Sequence, residues 1–247
     1  MSFCIFSQQW HRADGTQNIP PRQCENLSGN GQRNFIFNMK HIIYPFFATL
    51  IFLSGKSSIG QQNNLSVYKS HFHNELKGWT KTINEFKLSS FILSDTTSFG
   101  STDYNDINSL NEFYSIYKPA LTFSKDGKKF IDIYSYELNL EKEGGKIVYS
   151  GSEADQAISL CDLKMKRWTQ VLFCGYSLRI QEVIWLSDIK FMLVGSLQND
   201  ESKYQPVVYV GDLTNKSFEI FTSSDSKCYQ NKDYDSPKLA KLNIQEK

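Results

Sequence analysis

Leu160-Cys-Asp-Leu-Lys-Met-Lys-Arg-Trp168 and, fifty positions later, Val210-Gly-Asp-Leu-Thr-Asn-Lys-Ser-Phe218 decide the fold of this chain. Each is an apolar run, an Asp-Leu pair, a polar turn and an aromatic residue. Residues 157–162 and 168–173 flank Lys164-Met165-Lys166, and residues 207–212 and 218–221 flank Thr214-Asn215-Lys216. A short polar turn between apolar runs predicts an antiparallel hairpin. A hairpin about Met165 sets Cys161 opposite Thr169. Another pair of runs precedes each hairpin: residues 120–123 and 130–135 around Asp126-Gly127, and residues 182–185 before 191–196. Gly127 supplies the positive φ that such a turn needs. Phe123 aligns with Trp185, and Phe130-Ile131 with Phe191-Met192. The pattern predicts two matching four-stranded antiparallel units, about 120–174 and 180–222. Phe191 to Val194 is apolar on both faces, as in a strand buried on both sides. The first unit carries an insertion over 136–155, turning at Gly144-Gly145.

Upstream the pattern is less regular. Leu76, Trp79, Ile83 and Phe86 predict a helix over 74–87 with Asn74 as its N-cap. Leu110, Phe113 and Tyr117 predict another over 106–117, capped by Asp106 and stopped by Pro119. Residues 91–93 read as a strand, the Ser-, Thr- and Asp-rich stretch 94–105 as a loop, and 61–73 as a short polar entry.

Thr122-Phe-Ser-Lys-Asp-Gly-Lys-Lys-Phe130 resembles the Ser-Pro-Asp-Gly-Lys turn of β-propeller (WD/TolB-like) blade repeats, with Lys125 in place of the usual Pro. The Asp-Leu pairs at 162–163 and 212–213 resemble the end of a blade's third strand. Tyr117-Lys-Pro119 together with Phe130-Ile-Asp-Ile-Tyr-Ser-Tyr-Glu-Leu-Asn139 resembles a group of uncharacterised exported proteins of Gram-negative bacteria. The resemblance covers about residues 113–222. It implies a propeller-like fold and export, and it carries no activity. Two blades fall short of the roughly four to eight that close a ring. The expected architecture is therefore mainly β and propeller-like but incomplete, with one or two N-terminal helices.

Export is also written outside that region. Lys40-His41, the apolar run from Ile42 to Leu53, and Ser58-Ile59-Gly60 follow the order of a signal peptide cleaved before Gln61. The apolar run is too short for a span, which needs about 20 residues. Arg12, Arg22 and Arg33 precede Met39 without any Lys, whereas every Lys lies from Lys40 onward. Residues 1–38 thus read as sequence translated from too early a start or as a disordered leader, 39–60 as the signal peptide, and 61–247 as the β domain.

Composition excludes several chemistries. A net charge of +1 gives no basic stripe for nucleic acid. After residue 60 the histidines are His71 and His73, with no third metal ligand at a recognisable spacing and no nucleophile motif beside them. The expectation is no metal, no cofactor and no catalytic residue. Cys161, Cys174 and Cys228 are too few for a disulfide scaffold. Asp132 stands in a strand where the second unit has Leu193, and a carboxylate there must be paired or hydrogen-bonded. Tyr134 and Tyr136 follow at same-face spacing. With Trp185 these three make a candidate binding pocket, set against a satisfied structural carboxylate and core aromatics. The expected function is an exported, periplasmic or extracellular, non-enzymatic binding or assembly protein, no longer membrane-anchored once cleaved, with a protein or glycan ligand. The rival is a secreted hydrolase using carboxylates of the insertion, Glu137, Glu141 and Glu143, for which two carboxylates about 5–10 Å apart in a concave pocket are required.

Overall fold

The computed structural model describes residues 64–104, 110–199 and 202–245. The leader and the signal peptide, with its cleavage point, lie outside the described residues. Strands β1 (Phe91–Ser98), β2 (Thr102–Tyr104), β3 (Thr122–Phe123), β4 (Lys129–Asp132), β5 (Leu138–Glu143) and β6 (Lys146–Ser152) come first. They are followed by β7 (Gln156–Asp162), β8 (Arg167–Cys174), β9 (Leu178–Trp185), β10 (Lys190–Gln198), β11 (Tyr204–Asp212) and β12 (Ser217–Ser223). Two five-stranded antiparallel sheets result, in the orders β2-β8-β7-β4-β3 and β1-β12-β11-β10-β9, with β5 and β6 as a separate hairpin. The protein is thus mainly β, with short helices.

Each sheet carries one aromatic row across its strands. In the first sheet, Phe123 pairs with Phe130, Phe130 with Cys161, and Cys161 with Trp168. In the second, Trp185 pairs with Phe191, Phe191 with Gly211, and Gly211 with Phe218. The third place is small in both. At Gly211 a Cβ would lie 2.4 Å from the Phe191 ring, so the ring occupies the space a side chain would need. An aromatic that follows the edge strand of each sheet, Phe113 after β2 and Phe99 after β1, covers each row. Phe113 lies 6.2 Å from Phe130 and 5.0 Å from Trp168, while Phe99 lies 5.9 Å from Phe191 and 4.6 Å from Phe218.

The helices complete the layers. Helix α3 (Leu110–Tyr117) presents Phe113 and Tyr114 to the first sheet, and Pro119 ends it in a 3-10 turn. On the outer face of the second sheet, Ile184, Met192, Val194, Val208 and Val210 pack against Leu65, Phe72, Leu76 and Trp79. Phe191 and Leu193 enter the core shared with the first sheet instead. The unbroken apolar run 191–194 is explained: β10 is buried on both faces.

Three expectations need correction. Residues 74–87 do not form one helix. Within that segment only α2 (Lys77–Thr80) is helical, and the helical turns begin earlier, with a 3-10 turn at Leu65–Tyr68 and helix α1 (Lys69–His73). Asn64 is the cap, accepting from Ser66 N at 2.8 Å, whereas Asn74 ends α1 with non-helical φ and ψ. Thr82 Oγ1 donates to Trp79 O at 2.7 Å, a local bond that competes with helix continuation. The earlier turns correct the polar entry, because Leu65 and Phe72 are core. Finally, 94–105 is not simply a loop. Ser and Thr tolerate a half-exposed edge, and β1 and β2 extend the two sheets as edge strands on β12 and β8. Of the second predicted helix, α3 starts at Leu110, and Asp106 lies outside the described residues.

The hairpin register also moves by one. Cys161 faces Trp168 and Leu160 faces Thr169, because the loop holds four residues, with Lys166 left-handed at φ 51°. The second hairpin repeats this geometry, with Lys216 at φ 50°. In each, the Asp before the turn accepts two backbone N–H groups: Lys164 and Met165 on Asp162, Thr214 and Asn215 on Asp212.

Candidate functional site

Of the four residues singled out by the sequence, Asp132, Tyr136 and Trp185 have side-chain partners, and the buried Tyr134 hydroxyl has no hydrogen-bond partner. β4 ends at Asp132, so Tyr134 and Tyr136 do not continue its face. The Asp132 carboxylate, 2% exposed, accepts from Tyr134 N at 2.9 Å, Ser135 N at 3.1 Å and Ser135 Oγ. The donors are backbone and serine, not the tyrosine hydroxyls. Trp185 donates Nε1–H to Thr122 O at 2.9 Å, which ties β9 to the neighbouring β3, and its ring packs on Phe191. Tyr134 is buried, and Tyr136 is half-buried and edge-on to Phe173 at 5.9 Å.

Burial raises the carboxyl of Asp132 above its ordinary range, against the bonds from Ser135 and Tyr134. The sign follows. A carboxyl whose pKa is higher folded than unfolded contributes stability below the unfolded value and loses it as pH rises through the folded one. Asp132→Asn keeps an oxygen for the two amides and removes the buried charge. Relative to wild type, this variant gains stability between pH 4 and pH 7 in urea unfolding. A constant difference across that window overturns the assignment.

Other predicted groups separate. His71 and His73 lie on helical α1 rather than a strand, so two-residue spacing turns them apart. His71 Nδ1 meets Glu75 at 3.1 Å. Among the described residues no cluster of three or more His, Cys, Asp or Glu could hold a metal. Cys161, Cys174 and Cys228 are free and buried, and burial pushes Cys161 and Cys174 up to about 12, far from thiolate chemistry at neutral pH. Of the insertion carboxylates, Glu137 is buried on Arg179, while Glu141 and Glu143 are exposed on the β5–β6 hairpin. Among the described residues no helix is long and apolar enough to cross a membrane.

Two sites emerge that the sequence did not single out. One is a buried polar knot where the C-terminal segment crosses β9. Glu182, 3% exposed, accepts from Val183 N at 3.0 Å, Tyr234 Oη at 2.9 Å, Ser236 Oγ at 3.2 Å and Lys238 Nζ at 2.5 Å. Lys238 lies on helix α4 (Pro237–Ala240) and also donates to Thr122 Oγ1 and Val183 O. Glu182 and Lys238 are each held by several internal partners, which makes the knot a clasp, while the Tyr134 hydroxyl buried beside them has no hydrogen-bond partner.

The other is a cleft of about 560 Å³ between the sheets, at the end where the hairpin turns lie. The β1–β2 connection contributes Phe99, Gly100 and Ser101, the first sheet Lys129, Leu160, Asp162, Arg167 and Val171, and the second hairpin Leu213 and Lys216. Leu160 and Val171 lie on the face opposite α3, and Phe99 lies on the aromatic row of the second sheet. Val171 is buried and Phe99, Leu160 and Leu213 are partly buried, whereas Asp103, Met165 and Lys216 are exposed at the mouth. Asp103 Oδ1 accepts from Thr169 Oγ1 at 2.7 Å and faces Arg167 Nε at 3.3 Å. The volume is that of a small-molecule site. One sequence signal pointed here. Arg167 and Arg179 are the only arginines after residue 38, and each holds a carboxylate, Asp103 or Glu137. Glu137, Glu141 and Glu143 do not line this cleft. No protein-family model, curated protein or solved structure matches the chain.

Proposed function

We propose that the chain is an exported, non-enzymatic binding or assembly protein of the periplasm or extracellular space, and that its ligand enters the cleft between the two sheets. The carrying observation is the cleft itself. Ligand-sized, apolar in depth and charged at its mouth, it combines the features that bind and orient a small molecule. In this reading the sheets are two blades of one propeller-like unit, duplicated, and the cleft is the seam between blades. The matched aromatic rows, the matched Asp turns and the equivalent covering residues Phe99 and Phe113 support the duplication. Export rests on the order of charge, apolar run and small residues between Met39 and Gly60.

Two experiments test this. With a C-terminal tag in a Gram-negative host, the protein is expected outside the cytoplasm with its N-terminus at Gln61. A chain retained in the cytoplasm and starting at Met1 or Met39 overturns export. Native mass spectrometry of the purified protein is expected to show a small-molecule adduct that Ser101→Trp, an indole at the cleft mouth, removes. No adduct, or one that survives the substitution, overturns the cleft as the binding place.

A further inference from the structure

We infer that the cleft selects an amphipathic anion, an aliphatic chain headed by a single carboxylate. This rests on the reading of the cleft as the binding place and adds the class of ligand. The mouth holds two acids and three cations, Asp103 and Asp162 against Lys129, Arg167 and Lys216. Both acids are engaged through Oδ1, and three cations against two acids leave the mouth a net charge of +1. Asp103 is taken by Thr169 and Arg167. Asp162 accepts from Lys164 N at 3.0 Å and Met165 N at 2.9 Å, inside its own turn.

The cations are not committed to the same degree. Arg167 uses Nε toward Asp103 and Thr169, and its terminal nitrogens make no hydrogen bond among the described residues. These two nitrogens present the fork that matches a carboxylate. Lys129 Nζ reaches only the carbonyl of Asp188, at 3.4 Å. Lys216 is exposed on the turn opposite; its carbonyl accepts from Phe99 N at 2.8 Å, and its ammonium has no partner among the described residues. Spare donors of one sign thus surround the opening of a cavity whose depth is Phe99, Leu160, Val171 and Leu213. A neutral apolar molecule would leave those donors unused, and a cation would be repelled at the mouth. A short carboxylate would leave the depth wet, forgoing about 0.8 kcal/mol for each CH₂ that could be buried.

The test is isothermal titration of the full-length protein with dodecanoate, butyrate and dodecyltrimethylammonium, all below micelle-forming concentrations. Dodecanoate is expected to bind saturably, one per chain, with butyrate and dodecyltrimethylammonium at least about fiftyfold weaker. Lys216→Glu is expected to weaken dodecanoate about fivefold or more without moving the unfolding midpoint, and Ser101→Trp to abolish its binding. The inference is overturned by the absence of saturable dodecanoate binding, by equal binding of the cationic amphiphile, or by affinity unchanged in both variants. If dodecanoate fails while the Ser101→Trp-sensitive adduct persists, only the ligand class is wrong. If that adduct is also missing, the cleft reading falls with it.

Discussion

Lys238→Met lowers the unfolding free energy by about 3–5 kcal/mol. The substitution keeps the length of the side chain and most of its apolar stem but leaves the Glu182 carboxylate buried without its cation. It also strips partners from Thr122 Oγ1 and Val183 O, both bonded to Lys238 Nζ. Burial outweighs the pull of Glu182 and lowers the Lys238 pKa, so desolvation consumes much of what the pair gains. The combined Glu182→Leu, Lys238→Met variant should therefore recover part of the loss. Recovery stays incomplete, because Tyr234 and Ser236 lose their shared acceptor. Chemical denaturation of the two single variants and the double closes the cycle. A Lys238→Met protein within 1 kcal/mol of wild type would show that the C-terminal segment is held by packing alone.

The clasp also marks the limit of what could be read from sequence. Glu182 sits at the head of a predicted strand, and nothing in its neighbours says that Tyr234, Ser236 and Lys238, more than fifty positions on, will converge on it. Polar contacts at that separation leave no period in the chain. Hydrophobic rhythm does. The runs at 157–162, 168–173, 191–196 and 207–212 became strands because their apolar side chains reach the core at strand spacing, and in β10 on both faces. The Asp-Leu turns were legible for a related reason: Asp162 and Asp212 close their turns with bonds to the next few residues, so their cause is local. Asp132 was recognisable as an anomaly but not as a solved one. The turn that satisfies it begins where the strand was expected to continue. Phe99 and Asp103 were lost in a stretch whose polar composition suits a loop and an edge strand equally. Edge strands are paired on one side only, so half of the signal that betrays a strand is missing from them.

Gln156→Leu is expected to be as damaging as the loss of Lys238, for a related reason in neutral form. Gln156, 4% exposed at the start of β7, donates Nε2–H to Ile133 O at 2.8 Å and Ile180 O at 3.0 Å, and accepts from Ile180 N at 2.8 Å. Ile180 lies on β9, the edge of the second sheet, and Ile133 follows β4 of the first. One amide side chain thus stands in for the strand that the open edge of β9 lacks, and it joins the two sheets. Leu fills nearly the same space, so packing is conserved while three backbone groups lose their partners. Each such orphan costs about 1–3 kcal/mol, giving a loss of at least about 3 kcal/mol. Gln156→Glu separates shape from bonding. It can still accept from Ile180 N, but it turns a second acceptor toward two carbonyl oxygens, so it should fall well below wild type too. Hydrogen exchange gives the local readout, with the Ile180 amide losing protection in Gln156→Leu even under conditions where the chain stays folded. Unchanged protection there, with stability within 1 kcal/mol of wild type, would mean that water replaces the side chain and that the sheets are joined by their aromatic core without this amide.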